Sequence, residues 1–211
     1  MRSVFFQNPL EYQIQTENEE WNQGDSIQGR LRVRNISAEQ VSPVVSKVVV
    51  AYAVRKELKS GDAQTWKVLL EKQPMSAESL LPQAEINSEW ELKLSNDCPI
   101  TDKSASPFLL FGGENVMEEG GRIDLRVELH PLLQSFLQTF TTQYKFLEKY
   151  RKSREDYTEV KLVPPDSKEF PNLEQILCLL RIHDEQLESI FRFRMKGFSR
   201  DGESMKVVKK K

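Results

Sequence analysis

The chain has 211 residues, of which 38% are hydrophobic and 29% are charged. This length is sufficient for one large or two small domains with a real core, and the composition excludes a disordered chain. The formal net charge of −2 provides no excess of basic residues for a phosphate backbone, so we expect no nucleic-acid partner. No apolar run approaches the roughly 20 residues that span a bilayer, and the apolar part of the N-terminal segment is too short for a signal peptide. The expected location is therefore the cytoplasm.

The residues that most often carry chemistry are few and scattered. We expect Cys98 and Cys178 to be unpaired thiols in a reducing compartment, with a disulfide as the alternative. A zinc site needs about four ligands at short spacings, whereas His130 and His183 stand far apart. Neither the nucleophile motif Gly-x-Ser-x-Gly nor a phosphate-binding loop ending in Lys-Ser or Lys-Thr is present. The sequence therefore predicts no enzyme, no metal and no cofactor.

The segment 21–33 carries the most informative pattern of the chain. Gly24 and Asp25 form a polar turn, and a strand follows with apolar residues at Ile27, Leu31 and Val33. Gly29 stands where strict alternation would place a further apolar residue. A glycine inside a strand often marks a bulge or a close approach of another part of the chain, so we expect one of these at Gly29.

Short strands also account for the surrounding sequence. The β-branched run 44–54 predicts a strand that is buried on both faces or crosses the centre of the core, and 60–63 predicts a hairpin tip. Short strands punctuated by Gly, Pro, Asn and Asp are typical of an antiparallel β-sandwich. Other segments in which apolar and polar residues alternate are 10–14, 66–70, 90–94 and 123–129.

The period of the apolar residues changes after Pro131, which suits the first turn of a helix. A spacing of three or four positions predicts one long helix near 132–151 and one short helix near 172–182. A hairpin at 187–208 follows, because Asp201-Gly202 favours a type I′ turn. The sequence shows no linker, so we predict a single domain over 1–211. The apolar stripe of the long helix consists of Leu133, Phe136, Leu137, Phe140, Tyr144, Leu147 and Tyr150.

This order of elements resembles the bacterial sporulation-control family of arrestin-like proteins. The resemblance rests on Gly24-Asp25-x-Ile27-x-Gly29, on the strand 44–58, on 90–94 leading into Cys98-Pro99, and on 160–164 preceding a short helix and a strand pair. It implies a mainly β fold, an antiparallel arrestin-like (immunoglobulin-like) β-sandwich, with one long and one short helix in its C-terminal half. Two features depart from the family: the helix after Pro131 is longer than expected, and a full pair of arrestin sandwiches needs a longer chain.

Two surfaces are candidates for binding a partner. The aromatic stripe residues Phe136, Phe140 and Tyr144 either cover the sheet or, where exposed, mark a partner or oligomer surface. Arg192, Arg194 and Lys196 alternate with apolar residues on the strand 190–195, where they either face water on an edge strand or receive an acidic or phosphorylated partner. The lysine-rich C-terminus predicts at most weak peripheral contact with a membrane.

The resemblance implies a non-catalytic interaction module, an arrestin-like adaptor with a regulatory or scaffolding role. Another protein would add a strand to an exposed edge, and the segments 4–14 and 191–195 are the two candidate edges. A homo-oligomer is a further option. The alternative hypothesis is a small-ligand or lipid carrier, in which the long helix forms the lid of a cavity inside the sandwich.

Overall fold

The computed structural model describes residues 1–59, 66–154, 156–183, 185–196 and 208–209. The chain forms two compact units, 1–128 and 129–211, whereas the sequence predicts a single domain. The boundary is invisible in the sequence because no run of Gly, Pro or Ser separates the strand that ends at Glu128 from the helix that begins at Pro131. None of the helices in these ranges is long and apolar enough to cross a membrane.

The first unit is a two-layer antiparallel β-sandwich. One sheet has the strand order β1-β2-β4-β7 and the other has the order β6-β5-β8-β9, while β3 and β10 form a separate parallel pair. A 3₁₀ turn at Glu57–Lys59 and the short helix α1 complete the unit. The elements are β1 Arg2–Gln7, β2 Leu10–Thr16, β3 Glu20–Asn22, β4 Ser26–Asn35, β5 Val44–Val54, β6 Lys67–Ala77, β7 Glu85–Lys93, β8 Ala105–Gly112, α1 Val116–Glu119, β9 Gly121–Asp124 and β10 Arg126–Glu128.

The core of this unit lies between its two sheets. Ile14 and Leu31 from one sheet are in the same buried cluster as Val48 and Leu109 from the other. Residues on the opposite face of β5 and β8, among them Val49, belong to a second buried cluster. The β-branched run 44–54 is thus buried on both faces over its central part, as its composition predicts.

The second unit contains an antiparallel sheet with the order β11-β12-β13-β14-β15. One helix, α2, packs on β13 and continues into a turn of π-helix at Thr139–Gln143. The His130 side chain accepts a hydrogen bond from the main-chain N–H of Leu132 at the start of α2, and Pro131 occupies the first turn as predicted. The elements are α2 Pro131–Gln138, β11 Leu147–Ser153, β12 Thr158–Val163, β13 Leu173–His183, β14 Gln186–Met195 and β15 Val208–Lys209.

The predicted long helix near 132–151 is shorter than expected. The helical segment ends at Gln143, and Lys145 adopts a left-handed conformation with φ of 57°, which commonly ends a helix. Three threonines between 139 and 142 disfavour further helix because β-branched side chains lose rotamer freedom there. Residues 147–153 form strand β11 instead, so the helical spacing of Leu147 and Tyr150 was a coincidence.

The predicted short helix near 172–182 is wrong, because this segment is the strand β13. It pairs with β12 on one side and β14 on the other. The predicted hairpin at 187–208 is represented by the pairing of β14 with β15, in which Ile190 and Phe191 face Lys209 and Val208. The predicted turn around Asp201-Gly202 lies outside the described residues.

Candidate functional site

A cluster of phenylalanine rings lies in the second unit, where the helical segment meets the sheet. Phe140 is at its centre, with ring centroids 5.4 Å from Phe136, 6.0 Å from Phe146 and 6.1 Å from Phe191. Phe146 extends the cluster to Phe170, at 5.1 Å. The pairs Phe136–Phe140, Phe140–Phe146 and Phe146–Phe170 have the edge-on geometry that aromatic rings prefer, and the Phe140–Phe191 pair is tilted. The members of the cluster are Phe136, Phe140, Phe146, Phe170, Phe191 and Phe193.

One side of the cluster opens into a groove with a volume of about 670 Å³. Tyr144 and Met195 contribute to its walls and remain 50% and 41% exposed, respectively. We call this surface the aromatic groove, and its principal residues are Phe140, Tyr144, Phe146, Phe170, Phe193 and Met195. A concave surface lined mainly by apolar and aromatic side chains is typical of binding sites.

The end of the helical segment explains why the groove is open. The main-chain N–H of Phe146 donates to the carbonyl of Phe140 at 3.0 Å, and Lys145 in its left-handed conformation reverses the chain. The reversal buries Phe146, whose exposure is 5%, and leaves Tyr144 projecting. Local backbone geometry, rather than the helical period alone, therefore places the two neighbouring aromatic residues in different environments.

Charged residues adjoin the groove in sequence and are mostly basic. Lys145 follows Tyr144, and Lys168 precedes Glu169, which also lines the groove. All three side chains are exposed. Within the part of the chain that the structure describes, neither Lys145 nor Lys168 forms an ion pair, so their charges are available to a partner.

The second predicted surface lies on the opposite side of the sheet from the groove. Successive side chains of a strand point to opposite faces, so Arg192 and Arg194 face away from Phe191, Phe193 and Met195 on β14, and Lys196 follows the end of this strand. Arg194 forms an ion pair with Glu174 at 3.1 Å. The six predicted residues thus belong to two surfaces: Phe136, Phe140 and Tyr144 come together at the cluster, and the basic row is separate from them.

Sequence reasoning did not assign Phe146, Phe170, Phe193 or Met195 to this site. The alternation of Phe193 and Met195 with basic residues was a usable signal, since it places both on one face of β14. Phe170 lies in an irregular segment before β13, where no periodicity indicates what its side chain contacts.

The thiols are buried in both units. Cys98 and Cys178 are free, and burial raises the pKa of each thiol to about 12, with a smaller contribution from Asp97 beside Cys98. Cys178 and His183 are five positions apart on β13, so their side chains leave opposite faces of the strand. Across the described ranges, no group of three His, Cys, Asp or Glu side chains is arranged to hold a metal ion.

The architecture of two packed antiparallel sheets, with α2 and the remaining strands following them, is that of an arrestin-like β-sandwich protein. The crystal structure of Spo0M, the sporulation control protein from Bacillus subtilis, matches with a TM-score of 0.70 at 14% sequence identity, and the match covers 88% of this chain and 80% of that one. The chain therefore has a Spo0M-like fold, which confirms the predicted fold class and the resemblance at the level of the fold.

Other solved structures match more weakly. A β-glucosidase from Listeria innocua shares 14% identity over 56% of this chain and 16% of its own, with a TM-score of 0.35. The C-terminal domain of wzt shares 11% identity over 61% of this chain and 79% of its own, with a TM-score of 0.36. These two likenesses are too low to support an argument. No family model and no curated protein matches the chain.

Proposed function

We propose that this protein is a non-catalytic adaptor that binds a segment of another protein in the aromatic groove. The observation that carries the proposal is the exposure of Tyr144 and Met195 at the edge of a cluster of phenylalanine rings. Each apolar Å² that a partner removes from water contributes roughly 25 cal/mol. Aromatic side chains with a well-supported position are also the residues that most often dominate binding energy.

The surroundings of the groove indicate the chemistry of the segment. Its anchor residues should be apolar, because phenylalanine, tyrosine and methionine side chains form most of the walls. Its flanks should be acidic, because the exposed lysines Lys145 and Lys168 outnumber Glu169 beside the groove. A short segment such as Leu or Phe flanked by Asp and Glu satisfies both requirements.

A regulatory role in the cytoplasm follows by analogy. The protein with the 0.70 TM-score is described as a sporulation control protein, and control by a non-catalytic fold generally operates through binding. A shared fold supports such an assignment only by association, so the groove and its chemistry remain the principal support.

A peptide-display selection with the full chain as the target tests the proposal. We expect enrichment of sequences that combine aromatic or large aliphatic residues with Asp or Glu. Fluorescence polarisation should then show that Tyr144→Ser combined with Met195→Ser weakens binding about tenfold or more, which corresponds to at least about 1.4 kcal/mol.

Leu81→Ser is the matched control, since Leu81 is an exposed apolar residue of the first unit. Its binding should equal that of the unchanged protein. Selected peptides that bind the groove variant and the control equally well, or a selection that yields no specific sequence, would contradict the proposal.

The volume of the groove also favours a second candidate function, the binding of a small apolar ligand. About 670 Å³ lies within the range of roughly 300–1,000 Å³ that is usual for small-molecule sites. The ligand would occupy the groove and not the sandwich of the first unit, where buried side chains fill the space between the sheets. A saturable rise in melting temperature with fatty acids, absent from the groove variant, would support this carrier function.

A further inference from the structure

The two four-stranded sheets of the first unit have four edge strands, and three of them carry features that discourage pairing with another sheet. The exposed residues of β7 include four charges, at Glu85, Glu89, Glu91 and Lys93. β6 contains Pro74 and pairs with β5 through two register shifts, and β9 is only four residues long. Charges, proline, irregular pairing and short length are the usual means by which proteins protect an open edge.

The fourth edge strand, β1, carries a single charge, Arg2, has no proline and pairs with β2 without a register shift. Its exposed residues are Arg2, Val4 and Phe6, and the last two side chains remain 43% and 59% exposed. The alternate residues of β1 face the core. The ring centroid of Phe5, for example, lies 6.4 Å from that of Phe111 in the other sheet. β1 therefore presents an apolar row on a strand that is firmly anchored to the sandwich.

The hydrogen bonds of β1 show which main-chain groups point outward. The Met1 nitrogen donates to the carbonyl of Thr16 at 3.2 Å, and the Thr16 N–H donates back to Met1 at 2.9 Å. Since such doubly bonded pairs alternate along an antiparallel ladder, Ser3 and Phe5 direct their N–H and C=O groups toward β2. Arg2, Val4 and Phe6 direct theirs to the open side, where no described residue hydrogen-bonds to them.

We propose that a second copy of this chain pairs with β1 through its own β1, antiparallel, with the two Val4 residues opposite each other. In this register, Arg2 of each copy faces Phe6 of the other. The main-chain N–H and C=O groups of all three outward residues are then used. The sheet β1-β2-β4-β7 of one copy then continues into the same sheet of the other copy across a two-fold axis, which is the usual symmetry of a homodimer.

The sequence of β1 favours this occupant over an unrelated protein, because the row is complementary to itself. Arg2 and Phe6 are equally distant from Val4 on either side, so one pairing brings both arginines over aromatic rings. A shift of the register that placed Arg2 opposite Arg2 would set like charges against each other. The contact is short, so we expect a dimer of modest affinity, formed at high protein concentration.

Analytical ultracentrifugation over about a hundredfold range of concentration tests the dimer. The unchanged protein should approach twice its monomer mass at the upper end. Val4→Lys should remain monomeric, with dimerisation weakened about tenfold or more, since two lysines then face each other across the axis. The control is Val68→Lys, on the edge strand β6, where Val68 is exposed to a similar extent; it should dimerise normally.

Cross-linking of Val4→Cys tests the register independently of any loss of stability. Residues in a hydrogen-bonded antiparallel pair have Cα atoms about 5.5 Å apart, within the roughly 4.4–6.8 Å range that a disulfide spans. Mild oxidation should give a dimer linked through the new cysteine at position 4. The natural thiols should not interfere, because both are buried. Val68→Cys should not cross-link comparably. A protein that stays monomeric at every concentration, a dimer unaffected by Val4→Lys, or equal cross-linking of the two cysteine variants would overturn the proposal.

Discussion

At the residue scale, Gly29 shows how closely a local sequence pattern can reflect packing. Gly29 lies directly opposite Trp90 in the pairing of β4 with β7, and the indole ring lies against the bare glycine. A Cβ atom at this position would be 2.7 Å from Cζ2 of Trp90 and 2.3 Å from the carbonyl oxygen of Gln15. The predicted close approach is therefore present, and Trp90 fills the space where a further apolar side chain of β4 was missing.

Replacement of Gly29 with alanine should destabilise the protein by about 1–3 kcal/mol, the usual cost of overpacking. In a strand without close neighbours, replacing glycine with alanine stabilises the protein by roughly 0.5–1 kcal/mol, because the unfolded chain loses conformational entropy. Here the new Cβ atom would lie 2.3 Å from the carbonyl oxygen of Gln15, and this clash outweighs the entropic stabilisation. The free energy of unfolding in urea measures the effect. Gly113→Ala is the control, since its nearest neighbour is the end of the flexible Gln7 side chain, and an equal loss there would contradict the explanation.

At the scale of elements, β13 shows where a sequence pattern is ambiguous. Leu173, Ile176, Leu177 and Leu180 have helical spacing, but they lie in a run that is apolar at most positions, and such a run suits a buried strand equally well. Hydrogen bonding to β12 and β14 decides in favour of the strand. Its buried face is consequently Ile176, Cys178 and Leu180, and not the helical stripe.

Two alanine substitutions distinguish these arrangements. Leu180→Ala should cost about 2–5 kcal/mol, as is usual for a fully buried leucine, because Leu180 has no exposed surface. Leu177→Ala should cost less than half as much, because Leu177 is only half-buried on the opposite face of β13. Denaturant unfolding of both variants provides the comparison, and similar losses would indicate that the two leucines share one buried face.

The aromatic groove was partly accessible to sequence reasoning at this same scale. The helical spacing after Pro131 places Phe136 and Phe140 on one face, and α2 with its π turn preserves that relation. The contacts of Phe140 with Phe191, and of Phe146 with Phe170, join segments that are distant in sequence. No local pattern encodes such contacts, because they depend on how the chain returns to the sheet.

At the scale of the whole molecule, burial of three ionisable groups links stability to pH. Burial raises the pKa of the thiols of Cys98 and Cys178 from 9.0 to about 12, and that of the Tyr12 hydroxyl from 10.0 to about 12. Between these values, the unfolded chain loses protons that the folded chain retains. The unfolded state is then favoured, so stability must fall as the pH rises.

We expect the free energy of unfolding to be insensitive to these groups below about pH 8 and to decrease progressively between about pH 9 and 12. Urea unfolding at several pH values measures the slope, and Cys178→Ala should lower the baseline stability while making the decrease less steep. A thiol reagent at pH 8 should modify neither cysteine until the protein unfolds. Rapid modification of the native protein would contradict the burial of the thiols.

The sequence by itself determined the mainly β class, the turn and strand around Gly24 to Val33, and the start of a helix at Pro131, because turn residues, alternation and the φ restriction of proline act over a few neighbouring positions. Tertiary structure alone decided that 173–183 is a strand, that the chain forms two units, and that aromatic residues from three segments line one groove. These outcomes depend on partners distant in the chain: a strand is stabilised only by its neighbours, and an apolar run takes the form that lets those neighbours pair with it.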